Sequence, residues 1–302
     1  MIIREKKSGF ALLFAWHGTI LPKVLPALVF VVCLSAVLVY IAAHSINVPN
    51  VPSIGFTIFG VILSIFLSFR NTACYDRWWE GRKLWGALIA HSRHISRDTH
   101  VLPENDRITM MYRVMLFTHL LRDRLRKSSQ NFEHYRDRVH LQPKTFDGLS
   151  NHLNASQCVL EEIQKDLVRL LHAGVISDII YQGLNRHVVF LGDIQAGCDR
   201  ISSTPLPFSY SVLLHRTVYS FCIMLPFSIQ SSLGIWTPIL VGLIAYLFLG
   251  LDALSTELEE PFGLQENDLA LDSIVRLIER EMLTSLGENI PEPIIAKNGN
   301  LT

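Results

Sequence analysis

Histidine and cysteine are the residue types in this chain whose side chains could bind a metal or act as acid, base or nucleophile. The sequence contains 12 histidines and 5 cysteines. His91 and His94 have the i, i+3 spacing that places two imidazoles on one face of a helix, as in many metal sites. No neighbouring carboxylate completes a ligand set, so the sequence favours a surface pair over a metal centre.

The other candidates for catalysis show no organised pattern. The cysteines have neither CxxC nor zinc spacing and are expected to be buried free thiols: Cys33, Cys74, Cys158, Cys198 and Cys222. The sequence has no Gly-rich phosphate loop, GxSxG, HExxH or Glu-x-x-His pair. A formal net charge of zero gives no support to nucleic-acid binding. We therefore expect a protein that is not an enzyme, requires no cofactor and has no nucleic-acid partner.

An acidic segment, "ELEEPFG", carries the carboxylates Glu257, Glu259 and Glu260. A dense set of carboxylate oxygens suits a calcium ion. The same residues could instead form a solvated or arginine-paired helix end just below a membrane. His215 and Arg216 begin an apolar segment, where charge needs a partner, and we hypothesise a link from them to these glutamates.

Two long apolar tracts in the sequence predict the helices that position these side chains. Val24 to Phe69 is 46 residues without one Lys, Arg, Asp or Glu, and Thr217 to Leu251 is 35 more. A helix of about 20 apolar residues spans a bilayer. With polar breaks in each tract, we predict four membrane segments, at about 24–43, 54–69, 213–229 and 235–251.

The distribution of basic residues predicts the orientation. The hairpin tips at 44–53 and 230–234 contain none of the 27 Lys and Arg residues. Basic residues concentrate on the cytoplasmic side of membrane proteins, so both termini and the long middle region are expected in the cytoplasm. The first segment is too long and too late for a cleaved signal peptide.

Outside the membrane segments the pattern is helical throughout. We predict cytoplasmic helices over 70–208 and 252–287 and a disordered tail at about 291–302. The last helix is expected to begin at Asn267 or Asp268 and to stop at Gly287. The fold class is therefore an all-α membrane protein, one unit over residues 1–302, part in the lipid bilayer and part in the cytosol.

The second membrane segment carries two stripes at helical spacing. Val61, Ile65 and Phe69 form an apolar stripe, and the adjacent stripe has small side chains at Gly60, Ser64 and Ser68. Both stripes could be ordinary packing surfaces between helices. In several copies around an axis, the apolar stripe would instead form stacked hydrophobic rings that close a pore by dewetting. If the helix continued past the bilayer, its extension would then line a cytoplasmic vestibule. The tryptophans just beyond the membrane segment could also form an aromatic belt at the membrane interface.

Four segments resemble the bestrophin family, and most closely its bacterial members: "FLSFRNTACYDRWWEGRKLW", "AWHGTI", "RTVYSF" and "ELEEPFG". The resemblance extends from about Phe10 to Leu286. It implies a homopentameric channel for small inorganic ions in a bacterial inner membrane, with four membrane helices per subunit and one central pore. It also implies a neck at Val61, Ile65 and Phe69, and a cytoplasmic exit constriction at Ile179.

Calcium regulation and ion selectivity follow from the same resemblance. Animal members are calcium-activated chloride channels, and the positions matching their calcium clasp are Glu257, Glu260 and Asp268. Gln265 stands where the animal proteins carry an Asp, which makes calcium binding doubtful. Bacterial members favour monovalent cations, so we expect sodium conduction. The alternatives are an anion (chloride) channel of the same architecture, or a membrane-anchored oligomeric scaffold or sensor without conduction.

Two charged residues bear on the sign of the ion. Asp178, next to Ile179, would favour cations if it faced the exit. Alternatively, its only role could be to cap its helix. Arg70, one residue past the neck, would work against cations if it pointed inward.

Overall fold

A computed structural model describes residues 15–16, 18–44, 52–128, 149, 152–296 and 299–301. Over these residues the chain forms eight α-helices: α1 Leu21–Ala43, α2 Ser53–Asp98, α3 Glu104–Leu125, α4 Ala155–His172, α5 Asp178–Ser203, α6 Phe208–Leu233, α7 Thr237–Glu259 and α8 Leu271–Leu286. Short 3₁₀ turns occupy Thr99–Val101 and Gly234–Trp236. The all-helical prediction is confirmed for this part of the chain. Most of the first hairpin tip lies outside the described residues.

The chain divides into two compact units, which we describe separately. Among the described residues, the apolar unit comprises residues 15–78 and Pro205–Pro261. The polar unit comprises those within Trp79–Thr204 and Phe262–Thr302. Helix α2 contributes its first part to the apolar unit and its last part to the polar unit. The single domain expected from the sequence stays a prediction.

The core of the apolar unit lies between α1, α2, α6 and α7. Its buried side chains include Leu63 and Leu67 from α2 and Val218 from α6. The rings of Phe56 and Phe221 stack with their centroids 4.9 Å apart. Gly60 lies against the same ring, since a Cβ there would come within 3.2 Å of Phe221. The absence of a side chain at Gly60 thus lets α2 and α6 approach closely.

Among the residues that the structure describes, three stretches are long and apolar enough to cross a membrane: Leu21–Ala43, Ser53–Val101 and Phe208–Glu259. The last has 52 residues and contains both α6 and α7, separated by the turn at Gly234, whose φ is 51°. The segment predicted at 54–69 is the first part of α2, which continues unbroken past Phe69 and has 46 residues in all. No proline occurs within Ser53–Asp98 to interrupt the backbone hydrogen bonds.

Helix α3 is the centre of the polar unit. Every residue from Met110 to Leu121 is buried. The reason is that α4, α5 and α8 all pack against α3. Polar groups on the other faces find partners inside the unit, and His119 Nε2 lies 2.8 Å from Glu279 Oε1.

The end of the chain differs in detail from the prediction. Helix α8 begins at Leu271 rather than at Asn267 or Asp268, and its N-cap residue makes no side-chain hydrogen bond. Asp268 instead accepts a 2.6 Å hydrogen bond from the backbone N–H of Gln265, which closes a turn before the helix. The stop at Gly287 is confirmed, because its φ of 73° suits glycine.

Four of the five cysteines are buried and free as predicted, but Cys33 is exposed. Cys33 lies on a face of α1 that points away from the core of the apolar unit, where an apolar side chain needs no cover from its own chain if lipid surrounds it. Burial raises the pKa of the Cys198 thiol, in the polar unit, to about 12. That thiol is therefore protonated and unreactive at neutral pH.

Candidate pore-lining face and acidic helix end

The predicted neck residues lie on an exposed face of α2. Val61, Ile65 and Phe69 expose 56%, 50% and 65% of their surface. The buried residues of the same part of the helix form a narrow stripe: Phe56, Leu63, Leu67, Arg70 and Cys74. At about 100° per residue, the centres of these two faces are roughly 170° apart around the helix. The chain therefore presents the predicted neck directly away from its own core.

Large apolar side chains exposed along a helix need lipid or another protein surface to cover them. The neighbouring small-residue stripe is divided between two uses. Gly60 packs against Phe221 of the same chain, as described above. Ser64 stays exposed and satisfies its hydroxyl by donating to the Gly60 carbonyl at 2.7 Å. Only part of that stripe is thus left to contact other chains.

The neck face continues beyond Phe69. Thr72 and Asp76 follow at spacings of three and seven residues, which keeps them on the same face of the helix. Both are exposed. The sequence analysis did not single out Asp76, although extending the helical spacing past Arg70 would have found it. A carboxylate on this face would act on any ion that passes the neck.

Arg70 points toward the core and away from the neck face. Its side chain is 3% exposed, and its Nη1 lies 2.5 Å from Oδ1 of Asp252 in α7. Nη2 donates to Thr256 Oγ1 at 3.1 Å. Arg70 therefore does not point toward the proposed pore, where it would repel cations. Its charge faces the core of the apolar unit and is paired with Asp252.

Asp252 also contacts the imidazole of His215. Nδ1 of His215 lies 2.6 Å from Asp252 Oδ2, so one carboxylate joins α2, α6 and α7. The hypothesised link from His215 to the glutamates after Asp252 is therefore wrong for His215. The sequence contained a signal for this pairing, because Arg70 and Asp252 are the first charges after the two apolar tracts.

The acidic helix end is largely paired. Glu257 is 5% exposed, and its carboxylate lies 2.5 Å from Lys23 Nζ. Glu259 Oε1 accepts the backbone N–H of Leu206 at 3.1 Å. Glu260 is exposed. These contacts support the paired helix end that the sequence left as an alternative, with lysine in addition to arginine as the partner.

The three positions matched to a calcium clasp have different surroundings. Glu257 and Glu260 belong to the apolar unit, whereas Asp268 belongs to the polar unit, is 2% exposed and accepts the Gln265 N–H. A cation at Glu257 would have to displace the Lys23 ammonium. The donors therefore do not fit a ready calcium site, and no step below uses calcium.

The predicted exit residue, Ile179, lies in the first turn of α5 and is 83% exposed. Ser177 is the N-cap, because its Oγ accepts the N–H of Ile180 at 3.4 Å. Asp178 is exposed and does not serve as the cap residue. The helix therefore begins with an apolar and an acidic side chain that both face outward.

The structure brings a third histidine to His91 and His94, which the sequence favoured as a surface pair. His187 of α5 lies beside them, and one potential ligand atom from each of the three lies within 4.8 Å of the others. Asp98 is hydrogen-bonded to His187. The local pattern could not show this, because His187 is far away in sequence.

Comparison with known proteins places these features in a family. The model of the family described as "Bacterial/Fungal Bestrophin protein" matches residues 1–284. A voltage-dependent anion channel-forming protein of Mesorhizobium japonicum is 39% identical over 98% of this chain and 96% of its own length. The voltage-dependent anion channel-forming protein YneE of Salmonella typhi is 39% identical over 94% of this chain and 93% of its own.

A solved structure shows the same fold. The crystal structure of a bacterial bestrophin homologue from Klebsiella pneumoniae superposes with a TM-score of 0.81 at 30% identity, covering 88% of this chain and 99% of that one. The family and the channel names of the relatives bear out the expectation that the chain is not an enzyme. The sequence, the fold and the long exposed helix agree on one assignment, and the chain belongs to the bacterial and fungal bestrophin family.

Proposed function

We propose that this chain is the subunit of a passive ion channel, assembled as a homopentamer around one central pore. The observation that carries the proposal is the exposure of Val61, Ile65 and Phe69 on the face of α2 opposite its buried stripe. Five copies would bury these side chains as three stacked rings. The names of the relatives, which are channel-forming proteins, support the same function.

In this proposal the neck works by controlling water. A narrow ring of Val, Ile and Phe side chains excludes water, and an ion cannot cross it without its hydration shell. Small movements of α2 that widen the rings would admit water and ions together. Ile179, exposed at the start of α5, forms the second constriction at the cytoplasmic exit.

The proposed topology has four crossings. They are α1, the apolar first part of α2, α6 and α7, with the positions of basic residues placing both termini in the cytoplasm. The three apolar stretches support this arrangement, since the longest contains two helices separated by a turn. The localisation is a bacterial inner membrane, in keeping with the bacterial relatives.

The permeating ion in this proposal is an anion such as chloride. The relatives carry names that specify anions, which favours the anion alternative over the sodium expected from the sequence. Apolar rings select no sign of charge. Arg70 contributes no free positive charge at the neck, because it is paired with Asp252. Selectivity therefore depends on the polar residues beyond the neck.

A monovalent cation such as sodium is the second candidate. Asp76 lies exposed on the neck face of α2, and Asp178 lies exposed next to Ile179. In a pentamer each would form a ring of five carboxylates, which attracts cations and repels anions. These two residues are the specific observation in favour of sodium.

One recording tests both candidates. The purified protein, with its pentameric mass verified, is placed in a planar bilayer under a sodium chloride gradient. A reversal potential near the chloride equilibrium value supports the anion proposal, and one near the sodium value replaces it with the cation candidate. Silence from both the wild type and a Val61→Ala/Ile65→Ala/Phe69→Ala variant would contradict the channel and favour a non-conducting scaffold.

A further inference from the structure

We propose that His91, His94 and His187 form a binding site for a divalent transition metal of the zinc class. The site lies within the polar unit and goes beyond the proposed conduction. His91 and His94 come from the last part of α2, past the apolar segment, and His187 comes from α5. One potential ligand atom from each residue lies within 4.8 Å of the other two.

The three rings surround a common point. Their centroids are 5.6 Å apart for His91 and His94, 6.2 Å for His91 and His187, and 6.0 Å for His94 and His187. None of the three pairs is parallel, with interplanar angles between 55° and 81°. Rings that approach a point from different directions can each aim a nitrogen lone pair at one ion.

Two ring nitrogens in this cluster are buried without an assigned hydrogen bond. Nδ1 of His91 and Nδ1 of His187 have no hydrogen-bond partner among the described residues. A buried polar atom in a folded protein normally has a partner, so each orphaned nitrogen calls for an explanation. A metal ion at the centre of the cluster would supply the missing partner.

Asp98 gives His187 the carboxylate partner that metal-binding histidines commonly have on their second ring nitrogen. Its Oδ2 lies 2.8 Å from Nε2 of His187. When Nε2–H donates to this carboxylate, the lone pair of the neutral ring is on Nδ1, the nitrogen that is buried and unpartnered. Asp98 follows His94 by four residues on the same helix, so α2 supplies both the ligands and the carboxylate that orients the third ligand.

The ligand type of the cluster suits a transition metal. Imidazole ligands suit zinc, copper and nickel rather than calcium or magnesium, which prefer oxygen.

Only a modest rearrangement is needed to close the site. Zn–N bonds of about 2.1 Å in a tetrahedral site bring ligand nitrogens to roughly 3.4 Å from one another. The partly buried His94 can supply this movement by rotating its side chain. Water would occupy the fourth position, on the partly exposed side. The ion would then connect α2 and α5 and stabilise the polar unit by binding only its folded form.

Aromatic packing without a metal is the competing explanation. His91 stacks on Phe190 with ring centroids 4.5 Å apart at 21°, and the Arg186 guanidinium lies over the same ring. That packing accounts for the position of His91. It does not account for the convergence of His94 and His187 with their ring nitrogens close together.

Zinc binding to the full-length protein, with any affinity tag removed, tests the proposal. Wild type, His94→Gln, Asp98→Asn and the control His172→Gln are dialysed against Zn²⁺, and bound metal is measured by elemental analysis. His172 is an exposed histidine at the end of α4, away from the cluster residues in sequence. Circular dichroism confirms that each variant is folded.

We expect one zinc per chain in the wild type and in His172→Gln. His94→Gln should lose a ligand and bind at least tenfold more weakly, and Asp98→Asn should weaken binding by about 10- to 100-fold through the orientation of His187. Cobalt substitution should give the absorption of a tetrahedral ion in wild type but not in His94→Gln. Equal zinc affinity in wild type and His94→Gln, or no zinc bound by the wild type, would overturn the proposal. Neither result would bear on conduction, which is measured separately.

Discussion

Arg70 and Asp252 form a buried ion pair between α2 and α7, in which Nη1 and Oδ1 are 2.5 Å apart and the two side chains are 3% and 4% exposed. The pair lies immediately after the neck residue Phe69. It lies in the buried stripe of α2 and holds the positive charge of Arg70 on that side of the helix. The neck residues are exposed on the face opposite this contact.

Removing one member of this pair should destabilise the protein strongly. Asp252→Asn leaves the buried Arg70 guanidinium with only the more distant Glu259 carboxylate, 3.8 Å away, as a counter-charge, and breaking a buried ion pair costs up to about 3–5 kcal/mol. We expect a clear loss of thermal stability, measured by the melting temperature of the detergent-purified protein. The exposed pair Arg200 and Glu80 provides the control. Arg200→Gln should stay within about 1 kcal/mol of wild type.

Replacing both members should restore much of the loss. The double variant Arg70→Met/Asp252→Leu removes both charges from the core, and apolar substitutes for buried ion pairs are often neutral or better. His215 then also loses its partner, but that side chain is 56% exposed and can reach solvent. If the double variant were as unstable as Asp252→Asn, the cost would come from packing rather than from an unpaired charge.

The apolar helices and the end of the last helix could be predicted from the sequence because they depend on local properties. Uncharged tracts identified α1, α2, α6 and α7, and a glycine marked the end of α8 correctly. The start of α8 could not be predicted, because Asp268 is equally able to cap a helix or to close a turn, and tertiary context decides between them. The full burial of α3 likewise depends on three neighbouring helices.

The candidate sites likewise divide into features that local spacing predicts and features that depend on distant segments. The stripe at Val61, Ile65 and Phe69 follows from helical spacing alone, and the structure shows it exposed. The partners of Asp252 and Glu257 required distant segments to come together. The histidine cluster was missed for the same reason, since a third ligand on α5 has no fixed spacing from two on α2. Long-range pairing of this kind is not encoded in any local pattern.

Calcium should have little effect on this channel. Glu257 is already paired with Lys23, and Gln265 stands where the resemblance to animal bestrophins implies an Asp. We expect the same open probability in the presence of calcium and after chelation, recorded in a planar bilayer. Calcium activation that disappeared in Glu260→Gln would contradict this expectation and restore the clasp.

Widening the neck should raise conductance. The variant Val61→Ala/Ile65→Ala/Phe69→Ala removes bulk from all three proposed rings, which favours wetting of the pore. Single-channel conductance should increase at least severalfold, with the pentamer intact by native mass spectrometry. Ile62→Ala/Phe66→Ala is the matched control, because these exposed apolar residues of α2 lie roughly 80° around the helix from the neck face. An equal increase in the control would show that the neck is assigned to the wrong face.

Ile179→Ala should change conduction more than assembly. The side chain is exposed at the start of α5, so its removal leaves little of the packing within the polar unit disturbed. We expect a normal melting temperature and pentameric mass together with an altered flux or ion preference. If the variant instead lost most of its pentamers while the flux per remaining pentamer was unchanged, Ile179 would form a subunit contact rather than a constriction.

Asp76→Asn tests how the charge on the neck face acts on the permeating ion. In an anion channel the five carboxylates repel the ion, so their neutralisation should raise chloride conductance, and the effect should fade at high salt because ions screen the charge. Conductance is measured at about 0.05 M and 1 M salt, spanning Debye lengths from over 10 Å to about 3 Å. Asp193→Asn, an exposed residue of α5, is the control for a general change in surface charge. A fall in conductance at low salt, with a shift of the reversal potential away from the sodium value, would instead identify Asp76 as part of a cation-selective vestibule.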